Sequence, residues 1–403
     1  MKRFIFAIIM AGFMGTFTVH AQIFRLDANA EITGAVFNPN TIPERNINTN
    51  FREDDPFNPV RGKLFPSIDI NNTFAFKAEF LFDNKAVKFD HTKNQPFRAD
   101  GFFLSIRGLL DHQLNFWVGR IPTPVGTFSP RSYSHLNPLI GYPLAYHYKV
   151  PYNAFSLSSE SSNLALRDNN LGAATSIYEA CWITGLTAFG TVGEIDYMLA
   201  IGQGTLTNPE AKSNHGFQLA GRIGKLFTEH FTAGVSGGIA PYLEHDDNLP
   251  SGIEIRDPKH IIIGIDAAVH FDNLHFIGEA FYNSWETPQY HIEEKIHAYS
   301  WYVEGQYYFI GNLYGALRVN QMLYGHITDP TTGEKTPWGY DLTRIESGVG
   351  YLPIPELVVK TVVQYNRFNN PTTPKIILFA LQTAFHFENL QKLIGLDRVE
   401  MPL

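Results

Sequence analysis

Apolar and polar residues alternate along sixteen segments of the chain between Phe24 and Phe387. Between residues 298 and 309, for example, the odd positions carry aromatic residues, valine or glycine, and Glu304 lies on the even phase. A period of two is typical of β-strands that present one apolar and one polar face. The pattern therefore predicts an all-β protein.

The gaps between these segments alternate between short and long. Seven short gaps carry the Gly, Asn, Asp and Pro of tight turns, at residues 71–73, 111–112, 190–193, 227–230, 273–274, 311–312 and 353–356. Eight long gaps separate them, at residues 38–62, 84–98, 122–170, 205–214, 243–259, 286–296, 326–339 and 369–374. Transmembrane β-barrels have short periplasmic turns and long outer loops. The gaps thus predict a transmembrane antiparallel β-barrel of about 16 strands.

The ends of the chain predict where this barrel is delivered. Residues 1–21 have the basic start, apolar stretch and small-residue cleavage site of a secretory signal peptide. Residues 22–387 form the predicted barrel, and residues 388–403 a periplasmic tail, as a short helix or as disordered chain. We expect the cell outer membrane as the location, with outer-membrane lipids around the barrel.

Charge and cysteine content exclude several classes of protein. The net charge is −8 before removal of the basic signal peptide, which argues against nucleic acid as a partner. The one cysteine, Cys181, cannot form an internal disulfide. The mean hydropathy of −0.13 does not fit a helical membrane protein, whereas a barrel exposes only alternate residues to lipid.

The polar phase of the strands contains charged residues of both signs. Buried charge is costly, so we expect these side chains to line a water-filled channel rather than a packed interior. Their near balance, six of each sign with Asp196 included, predicts weak discrimination between cations and anions. The predicted pore-lining residues are Lys77, Glu79, Arg107, Arg222, Asp266, Glu279, Glu304, Arg318, Arg344, Glu346 and Lys360.

Aromatic residues lie near several strand ends. Trp117, Tyr282, Trp285, Tyr314 and Tyr324 are candidates for the aromatic girdles of a membrane protein. The alternative is that they belong to the ordinary composition of strands.

The longest gap, at residues 122–170, differs from the other loops because it is apolar, aromatic and rich in proline. Such a composition predicts a loop packed against other parts of the protein. One hypothesis is a constriction loop folded into the barrel, and the alternative is an outer cap over a neighbouring loop or subunit. The candidate constriction residues are Arg131, Tyr133, His135, Tyr142, Tyr146, His147 and Lys149.

The stretch Asn115–Gly126 (NFWVGRIPTPVG) resembles the strand-to-loop passage of sixteen-stranded Gram-negative outer-membrane porins, most closely the phosphate-selective porin group. Tyr197–Gly204 and Thr232–Tyr242 resemble later strands of that group. The resemblance implies a passive diffusion channel, usually a homotrimer. The chain lacks the lysine cluster that the group uses for anion preference, and 16 residues follow the last predicted strand.

Motifs for chemistry are few. Residues 234–238 match G-x-S-x-G around Ser236, but they lie within a predicted strand rather than at the strand-to-helix elbow of a nucleophile. The sequence contains no metal-binding histidine motif, and we expect no metal, no cofactor and no enzymatic activity.

Three functions remain open. The first is a porin that passes small polar solutes or ions by diffusion. The second is a substrate-specific channel for oligosaccharides or organic anions, with the tyrosines of residues 133–152 as a stacking track. The third is an outer-membrane barrel hydrolase.

Overall fold

A computed structural model gives the structure of the protein. It describes residues 23–38, 60–83, 97–111, 113–146, 176–177, 182–206, 215–242, 251–286, 295–328, 333–339, 341–369 and 375–390. The predicted signal peptide and nearly all of the predicted tail lie outside these residues, so both stay predictions. No helix among the described residues is long and apolar enough to cross a membrane.

The described chain is almost entirely β-structure. The strands are β1 (Ile23–Asn38), β2 (Val60–Asp69), β3 (Phe74–Asp83), β4 (Phe97–Leu109), β5 (Leu114–Ile121), β6 (Ile183–Val192), β7 (Ile195–Gln203), β8 (Phe217–Thr228), β9 (Phe231–Pro241), β10 (Lys259–Phe271), β11 (Leu274–Glu286), β12 (Lys295–Ile310), β13 (Leu313–Tyr324), β14 (His326–Thr328), β15 (Lys335–Pro337), β16 (Leu342–Ile354), β17 (Leu357–Phe368) and β18 (Ile376–Phe387). A short 3₁₀ helix, Ser129–Arg131, lies in the long connection between β5 and β6.

Sixteen of these strands form a closed antiparallel barrel. Each barrel strand pairs with its neighbours in the chain, and β1 pairs with β18 through partners such as Ala30 and Phe385. The remaining two, β14 and β15, pair only with each other, as a hairpin in the connection from β13 to β16. Closure leaves no unpaired strand edge, which is the condition for β-structure in lipid. The predicted fold and strand count are confirmed.

Turns join the strands at all seven predicted places, and several of them are shifted or shorter than predicted. Leu110 and Asp111 both adopt positive φ, at 48° and 53°, as the tight turn between β4 and β5 requires. The turn predicted at residues 190–193 is shorter, because the pairing of β6 with β7 continues as far as Val192 opposite Ile195. The strand expected just after residue 170 corresponds to β6, which begins at Ile183.

The two phases of each strand have different surroundings. On β12, Tyr299 and Val303 are each 50% exposed, whereas Ser300 and Glu304 are 1% and 3% exposed. The exposed set is apolar on strand after strand, with Phe102, Phe217 and others. An apolar outer surface on a closed barrel is stable only in lipid. The protein is therefore a transmembrane barrel of the outer-membrane type.

The prediction of aromatic girdles is wrong for four of the five candidates. Trp117, Trp285, Tyr314 and Tyr324 lie on the inward phase of their strands, and only Tyr282 pairs with an exposed outward residue. Trp285 is fully buried. The reason is that its ring packs against Trp338, just after β15, at 6.0 Å between ring centroids.

Candidate functional site in the barrel lumen

Residues 122–146, which follow β5, lie inside the barrel and are named here the inner loop. They contact inward side chains on distant parts of the wall. The Tyr133 hydroxyl donates to Glu79 Oε2 on β3 at 2.8 Å, and Arg131 Nη1 donates to Glu304 Oε1 on β12 at 2.7 Å. A segment that reaches both strands on their inward side crosses the lumen. These residues therefore lie within the barrel, as the hypothesis of a loop folded into the barrel expects, and do not form an outer cap; the narrowing of a channel stays a prediction.

Lys360, on β17, anchors the inner loop through its backbone. Its Nζ donates to the carbonyl oxygens of Ser134, Asn137 and Leu139 at 2.6, 2.9 and 3.1 Å. The side chain is buried, so these three carbonyls replace water around the ammonium group. This one contact fixes the path of six consecutive loop residues.

Arg318, on β13, connects two strands with the inner loop. Its guanidinium donates to Glu304 Oε2 at 2.7 Å and to Glu346 Oε2 at 3.2 Å. It also donates to the Gly141 carbonyl at 2.7 Å and to Asn137 Oδ1 at 2.8 Å. Arg318 is 0% exposed. Two carboxylates and two loop oxygens thus compensate a charge that would be costly to bury alone.

Glu279, on β11, binds both ends of the inner loop. Its carboxylate accepts hydrogen bonds from the Tyr146 hydroxyl at 2.7 Å and from Thr127 Oγ1 at 2.9 Å. Gly126 donates its backbone N–H to Ser236 Oγ at 3.1 Å and has a φ of +69°. A Cβ at Gly126 would lie 2.1 Å from the Tyr146 hydroxyl. Only glycine fits this position.

Apolar contacts complete the seal between the inner loop and the wall. Phe128 of the loop packs edge-on against Tyr142 at 5.4 Å and against Tyr302 of β12 at 6.4 Å between ring centroids. Arg344 of β16 donates to the Tyr142 carbonyl at 3.0 Å. Tyr142 and Tyr146 are thus part of a packed interface, which removes them from the stacking track expected at residues 133–152.

The expected solvation of the lumen charges is wrong for part of the set. Arg318, Arg344, Glu346 and Lys360 are at most 1% exposed. The inner loop supplies carbonyl oxygens in place of water to the three cations, and Glu346 accepts hydrogen bonds from Arg318 and Gln364. The lumen is therefore packed along the strands that carry these four residues.

His135 lies at the tip of the inner loop against β18. Its ring stacks on His386 with 4.0 Å between centroids and 6° between ring planes. Burial, followed by the nearby His386 and Lys360, lowers the pKa of His135 to about 4. The ring is therefore neutral at physiological pH.

The wall formed by β4, β5 and β6 has a different inward surface. Phe103, Trp117 and Phe189 come from three adjacent strands, with centroid separations of 5.4 Å and 4.5 Å along the row. These rings are partly exposed. Lys77, opposite Phe103 on β3, is exposed as well.

All the residues predicted to line a pore lie on the inward phase of their strands, but in two different environments. Arg107 keeps 36% of its side chain exposed while it donates to Asp69 at 2.7 Å, and Arg222 keeps 22% exposed beside Asp266 at 2.6 Å. Together with Lys77 they form the accessible cations. Those packed away from water are Glu79, Asp266, Glu279, Glu304, Arg318, Arg344, Glu346 and Lys360.

The inner loop brings together the candidate residues Arg131, Tyr133, His135, Tyr142 and Tyr146. The candidates His147 and Lys149 lie outside the described residues. Sequence reasoning missed Lys63, which donates to Glu79 Oε1 at 2.6 Å with its Nζ 4.6 Å from the centroid of the Tyr133 ring. It also missed Asn137. The sequence signal that could have identified this residue is the pair Asn137-Pro138, because Asn-Pro favours a turn.

Ser236 lies in the middle of β9, inward and buried, and its hydroxyl accepts the Gly126 N–H. This is a strand position without the elbow geometry of a hydrolase nucleophile. No group of three metal-ligating side chains occurs among the residues that the structure describes.

The closed barrel with its inner loop places the protein in the class of outer-membrane β-barrels. No protein-family model matches the chain, and no curated protein matches its sequence. Solved structures do match its fold. A loop L8 deletion mutant of OmpT, an outer membrane protein of Vibrio cholerae, superposes with a TM-score of 0.55 at 11% identity, over 91% of this chain and 100% of that one.

Two further structures agree. The trimer form of in-vitro folded OmpT from Vibrio cholerae matches with a TM-score of 0.53 at 12% identity, covering 91% of this chain and 100% of that one. Salmonella typhi OmpF in complex with daunomycin matches with a TM-score of 0.54 at 11% identity, covering 91% and 97%. At these identities the similarity shows a shared fold. It supports the coarser resemblance, to outer-membrane barrels, and not specifically the phosphate-selective group.

Proposed function

We propose that the protein is an outer-membrane porin, which forms a water-filled channel for the passive diffusion of small polar solutes or ions. The observation that carries the proposal is the inner loop itself. It binds the inner wall through residues such as Arg318 and Lys360, while Lys77 stays exposed and Arg107 partly exposed on the inward side of β3 and β4. A barrel of sixteen strands is wide enough to keep an aqueous passage beside such a loop.

Planar-bilayer conductance of the purified protein tests this function. We expect discrete single-channel steps and a reversal potential near zero in a salt gradient, since accessible cations stand beside carboxylates such as Asp69 and Asp266. A barrel that is folded by heat-shift electrophoresis yet carries no current would contradict the proposal.

The second candidate is a channel specific for organic anions or oligosaccharides. The observation that favours it is the row of partly exposed rings Phe103, Trp117 and Phe189. Block of the current by micromolar to millimolar solute would distinguish it from a general porin. The resemblance to phosphate-selective porins would predict block by phosphate, and Lys77 is the inward lysine on this wall that such block would require.

We also propose that the protein has no hydrolase activity. Ser236 is buried, and its oxygen accepts a loop N–H. Turnover of acyl esters by the purified barrel, lost in Ser236→Ala, would contradict this.

A homotrimer is part of the proposal, since the fold resembles a structure described as a trimer form. Native mass spectrometry of the detergent-extracted protein tests it. A monomer at micromolar concentration would contradict it.

A further inference from the structure

We infer that the row Phe103, Trp117 and Phe189 is a binding subsite for small organic anions that carry an aromatic ring. The inference rests on the proposed channel function and names the solute class that this channel would retain. The subsite is on the lumen side of β4, β5 and β6, and its neighbour Lys77 is two residues from Glu79, which binds Tyr133 of the inner loop.

Strand register makes the three rings a continuous surface. Phe103 stands opposite Gly119, and Trp117 stands opposite Ser105, so no bulky side chain separates the two rings across β4 and β5. Trp117 and Phe189 are 4.5 Å apart between centroids. Partly exposed aromatic rings facing water in a channel are unfavourable unless another apolar surface covers them for part of the time.

A cation lies at one end of this row. Lys77 is the register partner of Phe103 on β3 and is exposed. It makes no hydrogen bond or ion pair with the residues that the structure describes. Arg107, four residues after Phe103 on the inward side of β4, shares Asp69 with Arg25, so two arginines bind one carboxylate there.

The far end of the row carries less positive charge. Asp196 on β7 is exposed, and Arg222 on β8 is paired with Asp266 at 2.6 Å. This difference in charge orients a ligand that carries both groups. The carboxylate of the ligand pairs with Lys77, and the aromatic ring of the ligand stacks on the row. Strands are spaced about 4.8 Å apart, so a single-ring acid with its ring on Phe103 of β4 reaches Lys77 on the adjacent β3.

The surroundings favour an aromatic acid over a sugar. Phe189 stands opposite Met198, and the polar neighbours Ser105 and Thr187 are buried. A sugar ring needs several accessible hydrogen-bonding groups around its stacking face, and these neighbours do not supply them.

Current block by matched solutes provides the test. Benzoate carries the ring and the charge, acetate the charge alone, and benzyl alcohol the ring alone. We expect half-block by benzoate at a concentration about tenfold below that of acetate, because ring stacking and charge pairing act together. Equal block by benzoate and acetate, or equal block by benzoate and benzyl alcohol, would overturn the inference.

Variants assign the effect to residues. Trp117→Ala should raise the half-block concentration for benzoate about fivefold and leave that for acetate unchanged. Lys77→Gln should weaken the current block by benzoate and leave the block by benzyl alcohol unchanged. Phe102→Ala, an outward-facing neighbour on β4, is the matched control and should leave all three values unchanged. If Trp117→Ala does not fold, Phe189→Leu replaces it, and unaltered benzoate block in the folded variant would overturn the inference.

A binding measurement separates this site from channel function. Saturation-transfer NMR of benzoate with the detergent-solubilised full-length protein reports binding without any current. Binding that requires Trp117, in a protein that does not conduct, supports the subsite and contradicts the porin proposal. Conduction without benzoate binding supports the porin proposal and overturns the subsite. Block by maltose that depends on Trp117, without benzoate block, would assign the row to sugars instead.

Discussion

The inner wall of the barrel contains two regions that carry similar charged residues but differ in the exposure of these residues to water. On β13, β16 and β17, the charges of Arg318, Glu346 and Lys360 are buried under the inner loop. On β3 and β4, Lys77 and Arg107 face an uncovered part of the lumen. Both sets lie on the inward phase of amphipathic strands. The comparison shows that the alternation of residues along a strand determines which charged side chains point into the barrel. Contacts with the inner loop determine which of these side chains are exposed to water.

Removal of Arg318 should have the largest effect on this comparison. Arg318→Met leaves the carboxylate of Glu346 buried without its cation and that of Glu304 with Arg131 alone, which costs about 3–5 kcal/mol. We expect a corresponding loss in the free energy of unfolding, measured by denaturant titration in detergent. In the control Arg107→Met, a partly exposed pair with Asp69 is lost at a cost of about 1 kcal/mol or less. Equal losses in the two variants would remove the distinction between the two regions.

A methyl group at Gly126 should disturb only the region of the wall that the inner loop covers. Gly126→Ala brings Cβ to 2.1 Å from the Tyr146 hydroxyl and keeps a strained φ of +69°, at a combined cost of about 2 kcal/mol. We expect a lower unfolding midpoint and noisier channel currents as the loop start detaches from Glu279.

The matched control for this change is Gly193→Ala. Its φ is +62°, but its added Cβ would meet no atom within 4 Å. It should lose only the backbone contribution, about 1 kcal/mol. Identical behaviour of the two variants would mean that the docking of Gly126 is not what holds the loop.

Ion selectivity should respond to the uncovered charges. Arg107→Glu reverses a partly exposed charge next to Asp69, and we expect a modest shift of the reversal potential toward cations. Arg344→Gln, in the covered region, should leave the reversal potential unchanged as long as the protein folds. A larger shift from Arg344 than from Arg107 would reverse our assignment of the two regions.

The smallest expected effect is a pH dependence from His135. Its pKa in the folded protein is about 4, below the ordinary value of 6.5. The unfolded chain therefore binds the proton first, so the stability that the neutral ring contributes is complete above pH 6.5 and is lost as the pH falls toward 4.

The variant His135→Phe keeps a ring for stacking on His386 but does not titrate. Unfolding midpoints of the two proteins at pH 7 and pH 4 give the comparison. We expect the wild type to lose more stability than the variant on acidification. A constant difference between the two pH values would show that His135 does not titrate on unfolding.

The sequence predicts much of the fold, because the alternation of apolar and polar residues within each strand is a local feature of the sequence. Strand count, turn chemistry and inward phase follow from alternation and gap length alone. The girdle prediction is wrong because Trp285 and Tyr324 are strand-end aromatics that the segment around Trp338 covers from inside. A linear pattern does not reveal which distant segment covers a residue.

The candidate site was predictable in composition but not in contacts. The apolar, proline-rich character of residues 122–146 predicted a packed loop, and that is what the structure shows. The partners of Lys360 are separated from it by 221 to 226 positions in the chain. Local pattern contains no information on such pairs, so the burial of the lumen charges could not be predicted.

Single-channel conductance before and after removal of the inner loop tests the central claim most directly. A variant with residues 130–145 replaced by a short glycine-serine linker, checked for folding by heat-shift electrophoresis, is compared with the wild type in planar bilayers. We expect a measurable wild-type conductance that rises in the variant, because the loop occupies part of an open lumen. An unchanged conductance, or none in either folded protein, would contradict the picture of a water-filled barrel narrowed by its own loop.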